Sequence, residues 1–408
     1  MVIRKARLQY ILTTALTFLP RSALAYPAYC VAPFFATRIS DWLPRHLLVL
    51  AFIVASLSLN TFRVNISPTV AALEYALCFA FLLGAFGANV DYPRINPAAL
   101  MRAFQVTAFL TSMFSLVLMG FPARLPYIHY LPDYYYAAFG LGGAKIVTIL
   151  GFAGIITELH QQQATGRMRW SFLAVAVLNF LMPNYILAII SGAVGLTCYF
   201  VRRPVLGVIV TSIALIVVGS YVSYRLETVS GSFAVTFGLH PKIFQFIIAS
   251  QVFSDQPVTL LTGGGIGQYG GQAAFWTSDV GGELSTFSLP DLPGMFTPEY
   301  HARYMEPVMS VFSQDLWAIS SSSNKPYSSV SVMAAEFGFP FTFLVFGLII
   351  YRFILKSRDL ALASFGVFAM ILMTLDRVHD MPWFGLVMII ANTLVLQNRS
   401  KNSPLPLG

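Results

Sequence analysis

The run WSFLAVAVLNFLMPNYILAIISGAVGLTCYF, residues 170–200, contains 31 residues and no charged side chain. One helical crossing of a bilayer needs about 20 apolar residues, so this run is too long for a single span. Pro183-Asn184 stands near its middle, and a proline interrupts a helix because it lacks a backbone N–H and clashes with the preceding turn. The run therefore predicts two short apolar helices joined at a turn.

The composition of the whole chain points to the same class of protein. Of the 408 residues, 57% are hydrophobic and 10% are charged, and the mean hydropathy is +0.70. A soluble domain carries roughly 25% charged residues. The apolar runs are continuous rather than alternating, which favours helices over the strands of a β-barrel. We predict an all-α polytopic membrane protein.

About twelve transmembrane helices are expected. Residues 8–36 can form two short helices that turn near Pro20-Arg21, although the SALA stretch before Tyr26 also resembles a signal-peptide cleavage site, and a re-entrant pair is a further alternative. Eight other apolar segments can each form a span. They are 46–62, 68–89, 98–121, 143–159, 205–222, 337–355, 360–375 and 381–397.

The distribution of basic residues predicts the orientation. Sixteen of the 25 Lys and Arg residues fall in segments that this arrangement places in the cytoplasm, as the positive-inside rule requires. They form no single basic patch, so nucleic acid is not an expected partner. The chain then divides into N-terminal transmembrane helices (1–222), one large external loop (223–330) with eight acidic and four basic residues, and C-terminal transmembrane helices (331–408).

The external loop contains GIGQYG, residues 265–270, which has the G-x-G-x-x-G spacing of a dinucleotide-binding turn. That turn needs a preceding strand and a following helix of a βαβ unit. Here the amphipathic stretch FQFIIASQVF, residues 244–253, precedes the glycines. A tight turn that uses the positive φ angles of glycine is the better interpretation.

The order of these features resembles the O-antigen polymerase and O-antigen ligase superfamily. The resemblance covers roughly residues 170–398 and rests on the paired helices followed by Arg202-Arg203, the glycine cluster after a helix, and Glu336-Phe337-Gly338 at the return to the membrane. Ligases of the superfamily usually carry His-Asn where this chain has Tyr327-Ser328, which favours a polymerase. The family's Ser-Arg at the helix break is replaced by Pro183-Asn184.

The resemblance implies a glycosyltransferase of the GT-C-like class in the bacterial inner membrane, with its active site facing the periplasm. It would polymerise polyprenyl-diphosphate-linked repeat units into an O-antigen or exopolysaccharide. The expected partners are the lipid-linked glycan donor and acceptor, membrane lipids, a chain-length regulator and a flippase. An O-antigen ligase and a polysaccharide or lipid transporter are the alternatives, although the chain lacks the internal repeats of many transporters.

The chemistry of such a transfer suggests particular residues. A departing diphosphate needs cations, and arginine binds phosphate oxygens with two parallel hydrogen bonds. The candidate diphosphate ligands are Arg225, Lys242, Arg303, Lys325 and Arg377. Simpler explanations stay open, because Arg303 has Glu299 and Glu306 at helical spacing and Arg225 stands at the end of a span.

Acid–base and sugar-binding candidates complete the predicted site. Glu336 and His301 are the candidate catalytic residues, although a glutamate at the start of a span can also cap the helix or balance an arginine. Tyr130, Asp133 and Tyr327 are candidate sugar-binding residues, and an interfacial tyrosine belt is the alternative for the stretch YIHYLPDYYY.

No metal or cofactor is expected from the sequence. Cys30, Cys78 and Cys198 all lie inside apolar runs, which suggests packing rather than a disulfide framework or a metal cluster. No carboxylate or histidine cluster shows the spacing of metal ligands, so we expect a metal-independent reaction.

Overall fold

The computed structural model describes residues 2–17, 25–61, 68–91, 94–118, 143–183, 185–201, 241–277, 301–313, 326–357 and 359–402. These residues form an all-helical protein, and the only strand-like pairing among them is one isolated bridge between Thr37 and Val90.

The described residues before residue 202 form eight helices. They are α1 (Val2–Thr17), α2 (Ala25–Ala36), α3 (Ile39–Thr61), α4 (Pro68–Ala85), α5 (Pro97–Leu118), α6 (Gly143–Thr165), α7 (Trp170–Leu181) and α8 (Ile186–Val201).

The described residues after residue 240 form eight more. They are α9 (Pro241–Asp255), α10 (Thr259–Thr262), α11 (Gln272–Thr277), α12 (Glu306–Ser313), α13 (Ser329–Phe337), α14 (Phe339–Ile349), α15 (Leu360–Leu375) and α16 (Pro382–Asn402). Two π-helical segments adjoin them, His301–Met305 before α12 and Ile350–Leu355 after α14.

The apolar segments predicted as spans coincide with helices of the structure. Each predicted segment that the structure describes contains a helix, and residues 205–222 lie outside the described residues. The run at 170–200 divides as predicted, because α7 ends at Leu181 and α8 begins at Ile186. One boundary differs from the expectation: Gly338, with φ of 84°, separates α13 from α14, so Glu336 lies in a short helix of its own.

Among the described residues, two helices, Pro97–Val117 and Gly143–Thr165, are long and apolar enough to cross a membrane, and the other apolar helices there are shorter. The fold is therefore that of an all-helical protein compatible with a membrane. The all-helical class agrees with the expectation, whereas two candidate spans among the described residues do not establish the expected number of about twelve.

Close helix packing organises the bundle. Helix α16 lies along α4, α15 lies along α8, and α6 packs against α7. Gly84 of α4 and Gly385 of α16 allow the first pair to approach closely, since a Cβ atom at Gly385 would lie 2.1 Å from the backbone nitrogen of Phe81. Small residues commonly permit such contacts between membrane helices.

Helix α6 is buried along most of its length and carries polar contacts near both ends. Near its start, the Lys145 ammonium lies 2.6 Å from the Asp376 carboxylate. Near its other end, Glu158 pairs with Arg102, and His160 lies 2.6 Å from Asp359. A rise of 1.5 Å per residue places these two polar layers about 20 Å apart along the helix.

Candidate functional site

The glycine loop, residues 263–271, connects α10 to α11. Gly263, Gly265 and Gly267 adopt positive φ angles of 69°, 105° and 76°. Residues other than glycine rarely take these angles, so the prediction of a tight turn is confirmed. A four-residue helix precedes the loop rather than a strand, and the described residues contain no βαβ unit around it.

The loop encloses the carboxylate of Glu336. Backbone N–H groups of Gly267, Tyr269, Gly270 and Gly271 donate to that carboxylate over distances of 2.9, 3.0, 3.3 and 3.2 Å. Successive N–H groups of this kind form a concave site for anions. In this chain the anion that they hold is a side chain of the protein itself.

The same loop is fixed through its backbone. The N–H of Gly264 donates to the carbonyl of Ala335, and the N–H of Gly265 donates to the carbonyl of Glu336. A Cβ atom at Gly263 would lie 2.1 Å from that Glu336 carbonyl oxygen, and one at Gly270 would lie 2.5 Å from the Tyr327 ring. Only glycine lets the loop lie this close to α13.

The turn at residues 376–380, between α15 and α16, contacts the loop from another side. Nε of Arg377 lies 3.0 Å from the Asp380 carboxylate, and the guanidinium also donates to the Gly270 carbonyl and to the Gln272 side chain. Asp380 accepts from the N–H of Gln272 at 2.8 Å. Arg377 and Asp380 are both buried, so the turn and the loop form one polar unit.

Asp376 joins this unit to the helical bundle. Its carboxylate binds Lys145 and accepts a hydrogen bond from the Tyr185 hydroxyl. Its carbonyl accepts from the backbone and hydroxyl of Ser329. The paired apolar helices, α6 and the start of α13 are therefore linked by one buried acid.

Helix α4 adds two further polar groups beneath the loop. Glu74 accepts from the N–H of Ala273 at 2.7 Å, and the Cys78 thiol lies 3.4 Å from its other carboxylate oxygen. His379 completes the group, and among the described residues neither of its ring nitrogens has a hydrogen-bond partner. A buried polar group without a partner costs about 1–3 kcal/mol, so this histidine is an exception that requires a reason.

Burial shifts the pKa values of two groups near the loop. It lowers the pKa of His379 to about 4, so its imidazole is neutral near pH 7. It raises the pKa of Glu336 to about 7, while the four N–H contacts act in the opposite direction. Because those N–H groups all point at the carboxylate, the arrangement is suited to the ionised form.

The structure brings Glu336 and Arg377 together, as a common site requires, because both contact the glycine loop. The Glu336 carboxylate binds that loop rather than capping its own helix. Arg303 lies elsewhere, paired with Asp255 at 2.8 Å, and its side chain is 63% exposed; Glu299 lies outside the described residues.

Tyr327 is fully buried against Gly270 and Tyr269, so a sugar could stack on it only after that cover moves. The other candidates stay predictions. Arg225, Lys325, Tyr130 and Asp133 lie outside the described residues, and Lys242 and His301 lie in helical segments without a described side chain.

Sequence reasoning gave no role to Glu74 and treated Cys78 as a packing residue. A signal for Glu74 was present, since an acid inside the apolar run PTVAALEYALCFAFLLGA is costly in a membrane and usually marks function. Cys78 gave no separate signal, because His379, the third member of the group, comes from a remote part of the chain.

Comparison with protein-family models gives no match, and a search of curated proteins finds no match either.

Proposed function

We propose that the chain is an integral membrane glycosyltransferase that polymerises polyprenyl-diphosphate-linked repeat units. The observation that carries the proposal is the buried polar unit formed by the glycine loop, Glu336 and the 376–380 turn at one end of an apolar helical bundle. Buried ionisable groups in such bundles usually serve a substrate or an ion. The sequence resemblance provides the class of substrate.

The two polar layers of α6 support the proposed orientation. Lys145 belongs to the end predicted to be external, whereas Arg102 and Glu158 belong to the end predicted to be cytoplasmic. The mostly apolar residues between the two layers cover about 20 Å along the helix, so within a hydrocarbon region of roughly 30 Å both layers would lie inside its edges. In this proposal the shorter apolar helices also cross the membrane, which gives about twelve spans.

The transfer would proceed by displacement at the anomeric carbon of the donor. A hydroxyl oxygen of the acceptor sugar forms the new bond to that carbon, and the bond from the carbon to the diphosphate oxygen breaks. The lipid diphosphate leaves with the electron pair, and the hydroxyl proton passes to a base. Of the two predicted catalytic residues, His301 is the proposed base, because the Glu336 carboxylate is held by loop N–H groups.

Arg377 is the proposed ligand of the leaving diphosphate. Its planar guanidinium can bind two phosphate oxygens, and its location in a buried polar unit strengthens that attraction. Asp380 holds Nε of Arg377, so a diphosphate oxygen would take the place of that carboxylate. Glu336 would act as a positioning residue that keeps the loop against Arg377.

A single-substrate assay tests the proposal. Purified protein in lipid nanodiscs, given only lipid-diphosphate-linked repeat units, should form a ladder of longer glycans. A ligase would form product only after a second acceptor is added. A transporter would form no covalent product and would instead move labelled lipid across reconstituted vesicles. Either of the last two results would replace the polymerase proposal.

A further inference from the structure

We propose that Glu74, Cys78 and His379 form a binding site for a transition-metal ion, with Zn²⁺ as the best fit. The proposal goes beyond the glycosyltransferase proposal and does not depend on it. One carboxylate oxygen, the Cys78 sulfur and a His379 ring nitrogen all lie within 4.8 Å of one another. All three side chains are buried.

Two remote segments of the chain create this grouping. Glu74 and Cys78 are four residues apart on α4, so they project from the same face of that helix. Helix α16 packs along α4, and the turn that precedes α16 brings His379 to this face. The ligand set is therefore absent from any local spacing in the sequence.

His379 is held in position by its backbone and its ring. The backbone N–H groups of Val378 and His379 donate to the Ser329 hydroxyl at 2.9 and 3.2 Å. The Phe81 ring meets the imidazole edge-on, with the ring centroids 6.3 Å apart. With neither ring nitrogen hydrogen-bonded within the described part of the chain, a nitrogen lone pair is available to a metal.

Contacts on both carboxylate oxygens also hold the Glu74 side chain in position. One carboxylate oxygen accepts from the N–H of Ala273, and the other faces the Cys78 sulfur at 3.4 Å. Contacts of this kind around metal ligands fix their orientation. The carboxylates of Asp380 and Glu336 add negative charge around Glu74 that Arg377 offsets only in part, so a bound cation would balance a group of buried acids.

The donor types select the metal. A thiolate, an imidazole and a carboxylate suit Zn²⁺, whereas Mg²⁺ and Ca²⁺ prefer oxygen ligands alone. Bond lengths of about 2.0–2.3 Å place the ligand atoms of a tetrahedral zinc site about 3.5 Å from one another. The ligand atoms here lie within 4.8 Å of one another, so the more widely spaced side chains need to move together by about 1 Å. Three protein ligands leave a fourth position for water. On binding, Cys78 would release its thiol proton.

The three ligands weaken the argument for a metal-independent reaction. That expectation rested on the absence of metal-ligand spacing in the sequence. The fold instead brings the three ligands together from distant parts of the chain.

Metal analysis tests the site without any activity measurement. Protein purified without chelator and dialysed against Zn²⁺ should retain about one zinc per chain. Cys78→Ser, His379→Asn and Glu74→Gln should each lose most of that zinc. Cys198→Ser is the matched control, because Cys198 is also buried on an apolar helix but lies in a different cluster. Each variant should elute as the wild type does in size exclusion.

Cobalt provides a readout that is specific for sulfur ligation. Co²⁺ bound to the wild type and to Cys198→Ser should give a thiolate-to-metal charge-transfer band, and Cys78→Ser should lose it. A wild type that holds neither zinc nor the cobalt band contradicts the proposal. Equal zinc content in Cys78→Ser and the wild type also contradicts it, even if that variant is less stable.

Discussion

The backbone N–H of Tyr269 donates a hydrogen bond of 3.0 Å to the buried carboxylate of Glu336, 67 residues further along the chain. Three more N–H groups of the glycine loop point at the same carboxylate. One acidic side chain therefore determines the conformation of a loop that contacts Arg377 and covers Glu74.

Replacement of Glu336 should release the glycine loop. Glu336→Gln leaves one acceptor oxygen and places an amide donor among N–H donors, so we expect a loss of about 3 kcal/mol in stability. Thermal unfolding in detergent measures the change, and limited proteolysis should show earlier cleavage within residues 263–271. Glu306→Gln, at an exposed position, is the control and should change stability by less than about 0.5 kcal/mol. Equal midpoints for the two variants would show that the loop does not depend on Glu336.

Glycine positions in the loop should differ from a glycine in an open helix. At Gly270 a Cβ atom would lie 2.5 Å from the Tyr327 ring, whereas at Gly347 nothing lies within 4 Å. We expect Gly270→Ala to destabilise the protein by about 1–3 kcal/mol through overpacking, and Gly347→Ala to be neutral or slightly stabilising. Unfolding midpoints compare the pair directly. A stable Gly270→Ala variant would mean that the loop does not pack this closely on Tyr327.

Arg377 should not tolerate lysine. Its guanidinium reaches Asp380, Gly270 and Gln272 at once, whereas a lysine ammonium is a single point of charge. We expect Arg377→Lys to reduce kcat at least about tenfold, and Arg377→Ala about a hundredfold or more. The exposed Arg167→Lys change, at the end predicted to be cytoplasmic, should leave kcat unaltered. Normal turnover by Arg377→Ala at normal protein levels would remove Arg377 from the proposed reaction.

Arg303 offers a separate test of diphosphate binding. Its exposed ion pair with Asp255 should contribute less than about 1 kcal/mol to stability, so Arg303→Ala should fold normally. If the residue binds the diphosphate, KM for the lipid-linked unit should rise in Arg303→Ala and recover only partly in Arg303→Lys. An unchanged KM would leave Arg303 as a surface residue paired with Asp255.

Membrane orientation can be measured independently of activity. Reporter tags after residue 165 and after residue 398 should report the cytoplasm, and a tag near residue 285 should report the external side. This follows from the Lys and Arg distribution and from the two polar layers of α6. A cytoplasmic signal at residue 285 would place the glycine loop on the wrong side for a lipid-linked periplasmic substrate.

Sequence reasoning succeeded where a structural cause acts locally. Continuous apolar runs predicted the helices, Pro183 predicted the break between α7 and α8, and the glycine cluster predicted a turn with positive φ. It failed where the cause lies in distant contacts. Nothing near Glu336 shows that its carboxylate will bind N–H groups 65 to 69 residues earlier.

The arrangement around Glu74, Cys78 and His379 shows the same limit. The sequence separates the first and last of these residues by about three hundred positions, and only the packing of α16 on α4 brings them together. An acid in an apolar run signals that a partner is needed, but it does not identify that partner.

Photolabelling by a substrate analogue tests the proposed location of the site most directly. A polyprenyl diphosphate that carries a photoreactive group beside the diphosphate should label peptides from residues 263–272 and 376–380. An excess of unmodified lipid diphosphate should suppress that labelling, and Arg377→Ala should weaken it. Labelling confined to the opposite polar layer, near Arg102 and Glu158, or labelling that unmodified lipid does not reduce, would contradict a diphosphate site at the glycine loop.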